Sequence, residues 1–128
     1  MFSPYSIYEE LDRQYVPPSY DARTKGLITK PKNQMSCGSC AAFAATATHE
    51  TCMRRAGTPL QGLDLSEQQL VDCGYNGQGM NGCNGAYVGA YQDWIAKSSK
   101  GYSHEAQYPY LDRFFHIHNI KICQNVDI

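Results

Sequence analysis

The chain has 128 residues, of which 42% are hydrophobic and 18% charged, so we expect a globular domain with one core rather than a disordered segment. Eleven basic residues nearly balance twelve acidic ones, which argues against nucleic acid or an anionic membrane as a partner. No apolar run is long enough to cross a bilayer, and residues 1–15 show no secretory signal peptide.

The first two elements along the chain are an extended segment and a long helix. Val16 to Arg23 is predicted to be extended, because its two consecutive prolines disfavour helix. The helix is predicted over Cys40 to Arg55, where Ser39 can cap the start and Gly57 follows the basic end. Its small, apolar first turns predict burial on most of its faces.

A short second helix is predicted between Ser66 and Asp72. Ser66 and Gln69 have the spacing of a capping box, in which Ser66 caps the helix and the Gln69 side chain reaches back to it. Glu67 is interpreted as a structural acid of the first turn, where negative charge is favoured, in preference to a buried acid near Cys37. Residues 74–86 contain five glycines and three Asn-Gly pairs and are predicted to form an irregular loop.

A third helix is predicted over about residues 87–97, where apolar side chains recur at helical spacing. Tyr87, Tyr91 and Trp94 are expected to face the core rather than a ligand. Tyr108-Pro109-Tyr110 follows in extended form, and no internal repeat is visible.

Cys40 is the main candidate for a catalytic side chain. It opens the first predicted helix directly after Cys37-Gly38-Ser39, and the positive end of a helix dipole favours the nucleophilic thiolate. The same Cys-x-x-Cys spacing also fits a thioredoxin-type redox pair, or a zinc site completed by Cys73 or Cys83. The six cysteines suggest an oxidising compartment, although spacing alone does not choose among their many possible connectivities.

The stretch Gln34-Met35-Ser36-Cys37-Gly38-Ser39-Cys40 resembles the active-site signature of papain-like cysteine peptidases. Residues 65–73, 84–88 and 108–110 resemble further segments of that family, in the same order. The resemblance implies a truncated α+β papain-like fold, in which residues 16–112 form the mainly helical left lobe with a long central helix and disulfide-stapled loops. The β-barrel right lobe is then missing, residues 1–15 are a propeptide remnant or linker, and residues 113–128 are a tail of different origin.

The resemblance also implies roles for individual residues. Cys40 is the nucleophile, and the Gln34 side chain donates to the oxyanion. The residues that would contact an extended peptide are Gly38, Ser39, Asn84, Gly85, Ala86, Tyr87 and Val88. The implied disulfides are Cys37–Cys83 and Cys73–Cys123, which leave Cys40 and Cys52 as free thiols. No metal or cofactor is expected.

The resemblance places the catalytic histidine and asparagine roughly 130–150 residues after the nucleophile, beyond the end of this chain. His49 lies about two turns into the helix that Cys40 opens and cannot fold back onto its start. His104, His116 and His118 are not expected to serve as the base either. We therefore expect half an active site, and no turnover by this chain alone.

The predicted function is that of a partial cysteine endopeptidase, a hydrolase of peptide bonds. Expected partners are a peptide or protein substrate and a propeptide or cystatin-like inhibitor, whereas nucleic acid and membranes are not expected. The resemblance implies a lysosomal or extracellular location. A non-catalytic decoy that binds peptides or inhibitors is the alternative from a different class, and complementation by a separate polypeptide is a third hypothesis.

Overall fold

Three α-helices form the regular structure of this computed structural model, which describes residues 17–98, 101–115 and 123. They are α1 (Cys40–Arg55), α2 (Glu67–Cys73) and α3 (Val88–Lys97). A 3-10 helix, Ala22–Lys25, precedes them, and the Asp21 side chain caps it by accepting from the Arg23 amide. The extended segment predicted over Val16 to Arg23 therefore ends at Asp21, because the capped 3-10 helix begins at Ala22.

The central helix α1 buries one face only. Its buried residues are Ala41, Ala42, Ala45, Thr46 and Glu50, and α1 packs against both α2 and α3. Cys40, Ala44, Ala47 and Thr48 are exposed on the opposite side. The prediction of burial on most faces is thus wrong for the described residues, since both neighbouring helices lie on one side of α1.

Helix α2 is short, yet all of its residues from Glu67 to Asp72 are buried. Ser66 caps it as predicted, because its Oγ accepts from the Gln69 amide at 3.2 Å. The other half of the predicted capping box is wrong. The Gln69 side chain instead donates to the Gly101 carbonyl at 2.9 Å and accepts from the Ser103 amide at 2.7 Å, which ties a distant loop to α2.

The predicted third helix is confirmed as α3. Tyr91 is buried and Trp94 packs against the core, as expected. Tyr87 is different, because it is the N-cap residue of α3 and its side chain is 75% exposed. The prediction that Tyr87 faces the core is therefore wrong.

Isolated bridges and disulfides, rather than strands, connect the loops of the described residues. The bridges join Gly38 to Asn84, Leu65 to His104 and Met80 to Ala86. Disulfides join Cys37 to Cys83 and Cys73 to Cys123. These connections hold the loops around the helical core without a sheet.

The first residues of the predicted tail contact α2. The Gln68 side chain donates to the Arg113 carbonyl at 2.6 Å, and the Phe115 amide donates to Asp72 at 3.0 Å. The origin of residues 113–128 stays a prediction, since 116–122 and 124–128 lie outside the described residues, as does the predicted 1–15 segment. In the described part of the chain, no helix has the length and apolar character needed to cross a membrane.

Candidate active site

Cys40 is an exposed free thiol at the first position of α1. Ser39 occupies the N-cap position, but its side chain makes no capping hydrogen bond. The predicted Ser39 cap is wrong, because the Ser39 hydroxyl is instead 2.8 Å from the Tyr110 hydroxyl. The first-turn amides of α1 thus receive no side-chain cap beside the Cys40 sulfur, and such amides favour a bound anion.

Gln34 lies in the loop that leads to Cys40 and is half-buried. Its side-chain amide donates to the Cys37 carbonyl at 3.1 Å, within the same loop. The Tyr110 hydroxyl donates to the Gln34 carbonyl at 2.5 Å. Tyr110 therefore bridges both ends of this loop, since it contacts Gln34 at one end and Ser39 at the other.

A disulfide and two backbone hydrogen bonds bring Gly38, Asn84 and Gly85 together. Next to the Cys37–Cys83 bridge, the Gly38 amide donates to the Cys83 carbonyl at 2.9 Å, and the Gly85 amide donates to the Gly38 carbonyl at 3.1 Å. A β-carbon at position 38 would lie 2.3 Å from the Cys83 carbonyl oxygen. Only glycine therefore fits between the bridge and the nucleophile.

The remaining predicted substrate contacts differ in exposure. Ala86 and Val88 are partly buried and pack against the core. The Tyr87 amide donates to the Gly79 carbonyl at 2.8 Å, so the fold itself uses this donor. The Tyr87 side chain is exposed and is the member of this trio that is open to a ligand.

Neither described histidine pairs with Cys40. His49 lies nine residues further along α1, about 13 Å along the helix axis, and packs against the Tyr102 ring at 4.7 Å. Burial lowers the pKa of His49. The backbone of His104 forms an isolated β-bridge with Leu65. His116 and His118 lie outside the described residues.

The disulfide pairing separates the cysteine hypotheses. Cys37 is bonded to Cys83 and not to Cys40, which excludes a thioredoxin-type pair here. Cys73 is bonded to Cys123, so neither Cys73 nor Cys83 is free to complete a zinc site. Within residues 17–98, 101–115 and 123, no group of three or more His, Cys, Asp or Glu side chains is placed to hold a metal.

A charge cluster around the buried Glu67 side chain was not predicted from the sequence. Lys32 Nζ is 2.7 Å from Glu67 Oε1 and 2.6 Å from Asp64 Oδ1. The Glu67 side chain is 2% exposed, and burial raises its pKa to about 7 despite the opposing effect of Lys32. Glu67 is thus a buried structural acid. Because Lys32 is 35 residues away, no local spacing signals the pair.

A groove of about 1040 Å³ opens beside this cluster. Apolar side chains and carboxylates both line it, among them Ile28, Met35, Phe43, Leu63, Glu67 and Glu105. One carboxylate oxygen each of Glu67 and Glu105 is buried and has no hydrogen-bond partner in the described protein.

Comparisons with known proteins show the family of the chain. The family model described as papain family cysteine protease matches residues 16–126. Human cathepsin L2 is 44% identical over 96 residues, which cover 75% of this chain and 28% of the human protein. The match therefore spans less than a third of that relative.

Two solved structures are similar in fold. The digestive procathepsin L2 proteinase from Tenebrio molitor larval midgut has a TM-score of 0.71 and 36% identity, over 81% of this chain and 32% of that one. The Carica candamarcensis cysteine protease CMS1MS2, solved in complex with E-64, has a TM-score of 0.70 and 32% identity, over 83% of this chain and 46% of that one. This chain corresponds to less than half of either.

Proposed function

Because the chain belongs to the papain family of cysteine proteases, we propose that it carries the nucleophile-bearing part of a cysteine endopeptidase. The observation that carries this proposal is the free, exposed Cys40 at the start of α1, beside a loop that a disulfide and Tyr110 hold in place. A nucleophile on a rigid helix with uncapped amides next to it suits attack on a carbonyl group.

In the proposed reaction, the Cys40 thiolate attacks the carbonyl carbon of a peptide bond. The oxyanion that forms accepts hydrogen bonds from the Gln34 side-chain amide and the Cys40 backbone N–H. Collapse breaks the C–N bond and leaves a thioester on Cys40, and the leaving amine takes up the proton that the Cys40 thiol lost on ionisation. Water then hydrolyses the thioester and regenerates the thiol.

We infer that the 128-residue chain does not turn over substrate by itself. Of the described histidines, His49 packs against the Tyr102 ring and neither His49 nor His104 forms a hydrogen bond with Cys40, and a cysteine nucleophile needs a base or an imidazolium partner to cycle. The match to only 28% of human cathepsin L2 supports completion of the active site by further polypeptide.

The proposed substrates are peptides or proteins bound in extended form. The proposal is supported by the exposed residues Asn84 and Tyr87, which lie on the loop paired with Gly38, whereas the Gly38 and Gly85 amides already donate within the fold. The similarity to a procathepsin suggests a propeptide as one partner, and a cystatin-like inhibitor is proposed as a second. A lysosomal or extracellular location suits the two disulfides.

The test uses E-64, with which the Carica candamarcensis protease was solved, together with a fluorogenic peptide. We expect E-64 to modify Cys40, as found by peptide mapping, and no fluorescence release from the unmodified chain. Cys52 is the matched control, because it is also a free, exposed thiol on α1. Equal modification of Cys40 and Cys52 would contradict a special role for Cys40, and turnover by the wild-type chain that Cys40→Ser abolishes would overturn the inactivity.

A non-catalytic binding module is the second candidate. It is favoured by the exposed Tyr87 side chain, which can contact a peptide without any chemistry at Cys40. The Cys40→Ser variant separates the two functions. Undiminished binding of a peptide or cystatin by this variant, together with no labelling of wild-type Cys40, would favour the module.

A further inference from the structure

We propose that Asp112 is a positioning residue, which holds the loop between Gln34 and Cys40 in the geometry that the reaction proposed above requires. Its carboxylate makes three hydrogen bonds to this loop from 75 and 76 residues away. Oδ1 accepts from the amides of Ser36 at 2.8 Å and Cys37 at 2.9 Å. Oδ2 accepts from the Ser36 hydroxyl at 2.8 Å.

These hydrogen bonds act at the middle of the loop, where no helix or strand holds it. A carboxylate that accepts from two consecutive amides fixes their orientation, and charge-assisted bonds of this length are among the stronger ones. The Ser36 hydroxyl bond lowers the pKa of Asp112, and the two amides act in the same direction. Asp112 is therefore ionised at neutral and mildly acidic pH, and the contact persists there.

Asp112 is itself held by a buried helix. It adopts a left-handed backbone conformation with φ 56, which Asp tolerates better than most residues. On either side of it, the Leu111 amide donates to Gln68 at 3.0 Å and the Arg113 carbonyl accepts from Gln68 at 2.6 Å. Gln68 is fully buried in α2. Asp112 thus connects the loop that carries the active-site residues to the buried helix α2.

The position of the Gln34 amide depends on this arrangement. Gln34 donates to the Cys37 carbonyl, and Asp112 accepts from the Cys37 amide, so both contacts converge on one residue. Tyr110 and the Cys37–Cys83 bridge hold the ends of the loop, whereas Asp112 holds its centre. Loss of Asp112 would let the centre move, and oxyanion donors are sensitive to displacements of about 1 Å.

The test is the reversible addition of Cys40 to the aldehyde acetyl-phenylalanyl-glycinal. The sulfur bonds to the aldehyde carbon, the carbonyl π pair moves to oxygen, and the thiol proton ends on that oxygen, so the adduct places oxygen at the oxyanion position. Its dissociation constant is measured by NMR with a ¹³C-labelled aldehyde. The rate of Cys40 alkylation by iodoacetamide is measured in parallel, because that displacement forms no oxyanion.

We expect Asp112→Ala to weaken the aldehyde adduct by about tenfold and to change the iodoacetamide rate by less than about twofold. Gln34→Ala should weaken the adduct by about tenfold or more, and the double variant should be no weaker than Gln34→Ala alone, since Asp112 acts through Gln34. Asp112→Asn, which keeps the shape, should be intermediate. Asp93→Ala is the control, since the Asp93 side chain is exposed and pairs with Lys97 one turn along α3.

Other results would overturn either the positioning role of Asp112 or the proposed oxyanion site. If Asp112→Ala and Asp112→Asn both leave the adduct unchanged while Gln34→Ala weakens it, only the positioning role is overturned. Equal losses in the adduct and in the iodoacetamide rate, or additive losses in the double variant, also overturn it. If Gln34→Ala has no effect, or the wild-type chain forms no adduct, the oxyanion site of the proposed function fails and the role of Asp112 fails with it.

Discussion

Folding changes the ionisation of Glu67, a buried acid held against Lys32. Burial raises its pKa from 4.5 to about 7, so between these values the folded chain binds a proton that the unfolded chain releases. Stability from Glu67 is therefore full below pH 4.5 and is lost as the pH rises through 7. We expect the free energy of unfolding to fall by about 2 kcal/mol between pH 5 and 7.5, as measured by urea unfolding.

The Glu67→Gln variant is the matched control for this pH dependence, because it keeps an acceptor for Lys32 and cannot ionise. Burial also raises the pKa of Glu105, which acts in the same direction. The lowered pKa of His49 acts oppositely, since its contribution is lost as the pH falls below 6.5. A difference between wild type and Glu67→Gln that stays constant from pH 5 to 7.5 would contradict the prediction.

Met35 has a strained backbone in the same loop as Gln34. Its φ is 56, in a region where a β-carbon costs about 1–2 kcal/mol, and its side chain is 65% exposed. Met35→Gly removes this cost but adds flexibility to the unfolded chain. We expect a net gain of about 0.5–1 kcal/mol in unfolding free energy. Met35→Ala keeps the β-carbon and should gain almost nothing, and a larger gain from Ala than from Gly would show that strain is not the cause.

Two glycines, one in the active-site loop and one inside a helix, should respond oppositely to alanine. Gly38→Ala places its β-carbon 2.3 Å from the Cys83 carbonyl, so backbone must move and we expect a loss of about 2–3 kcal/mol. Gly89 lies inside α3, where a β-carbon would meet no atom within 4 Å outside its own helical turn, so Gly89→Ala should gain about 0.5–1 kcal/mol. Thermal unfolding of both variants tests the pair; equal losses would contradict the contact argument.

At the scale of elements, sequence patterns within a few residues predicted the features that contacts between neighbouring residues determine. The Ser66 cap and the bounds of α3 follow from spacing within one or two turns and are confirmed. Gln69 and Ser39 were predicted to cap their helices, but the Gln69 side chain bonds to Gly101, and the Ser39 hydroxyl bonds to the Cys37 carbonyl and to Tyr110, which is 71 residues away. A polar side chain can form a hydrogen bond with a buried group far along the chain instead of a local capping bond. The sequence pattern of one helix does not indicate which of the two bonds forms.

At the scale of the whole molecule, the same contrast divides the candidate site. Cys40 and Gln34 were found because their motif is contiguous, and their catalytic roles stay predictions. Asp112 and Lys32 were missed because each acts on residues that the fold, not the sequence, brings near. The contact of a carboxylate or ammonium group with a residue far along the chain cannot be predicted from the sequence around either one.

The two disulfides close loops of similar size but lie at different distances along the chain from the nucleophile. Their sequence separations are 46 and 50 residues, so the loop-closure argument gives about the same stability for each, near 4 kcal/mol. Replacing either pair by alanine should therefore lower the unfolding free energy by a similar amount, measured with urea. Cys37, however, belongs to the loop that Asp112 and Gly38 position, whereas Cys73 ends α2.

We accordingly expect Cys37→Ala with Cys83→Ala to slow labelling of Cys40 by E-64 about tenfold, because the loop loses one of its fixed points. Cys73→Ala with Cys123→Ala serves as the matched control and should change that rate by less than about twofold. Labelling is measured under conditions where both variants remain folded. Equal slowing in the two variants would mean that reactivity follows overall stability, and that the bridge beside Cys40 has no separate role in holding the site.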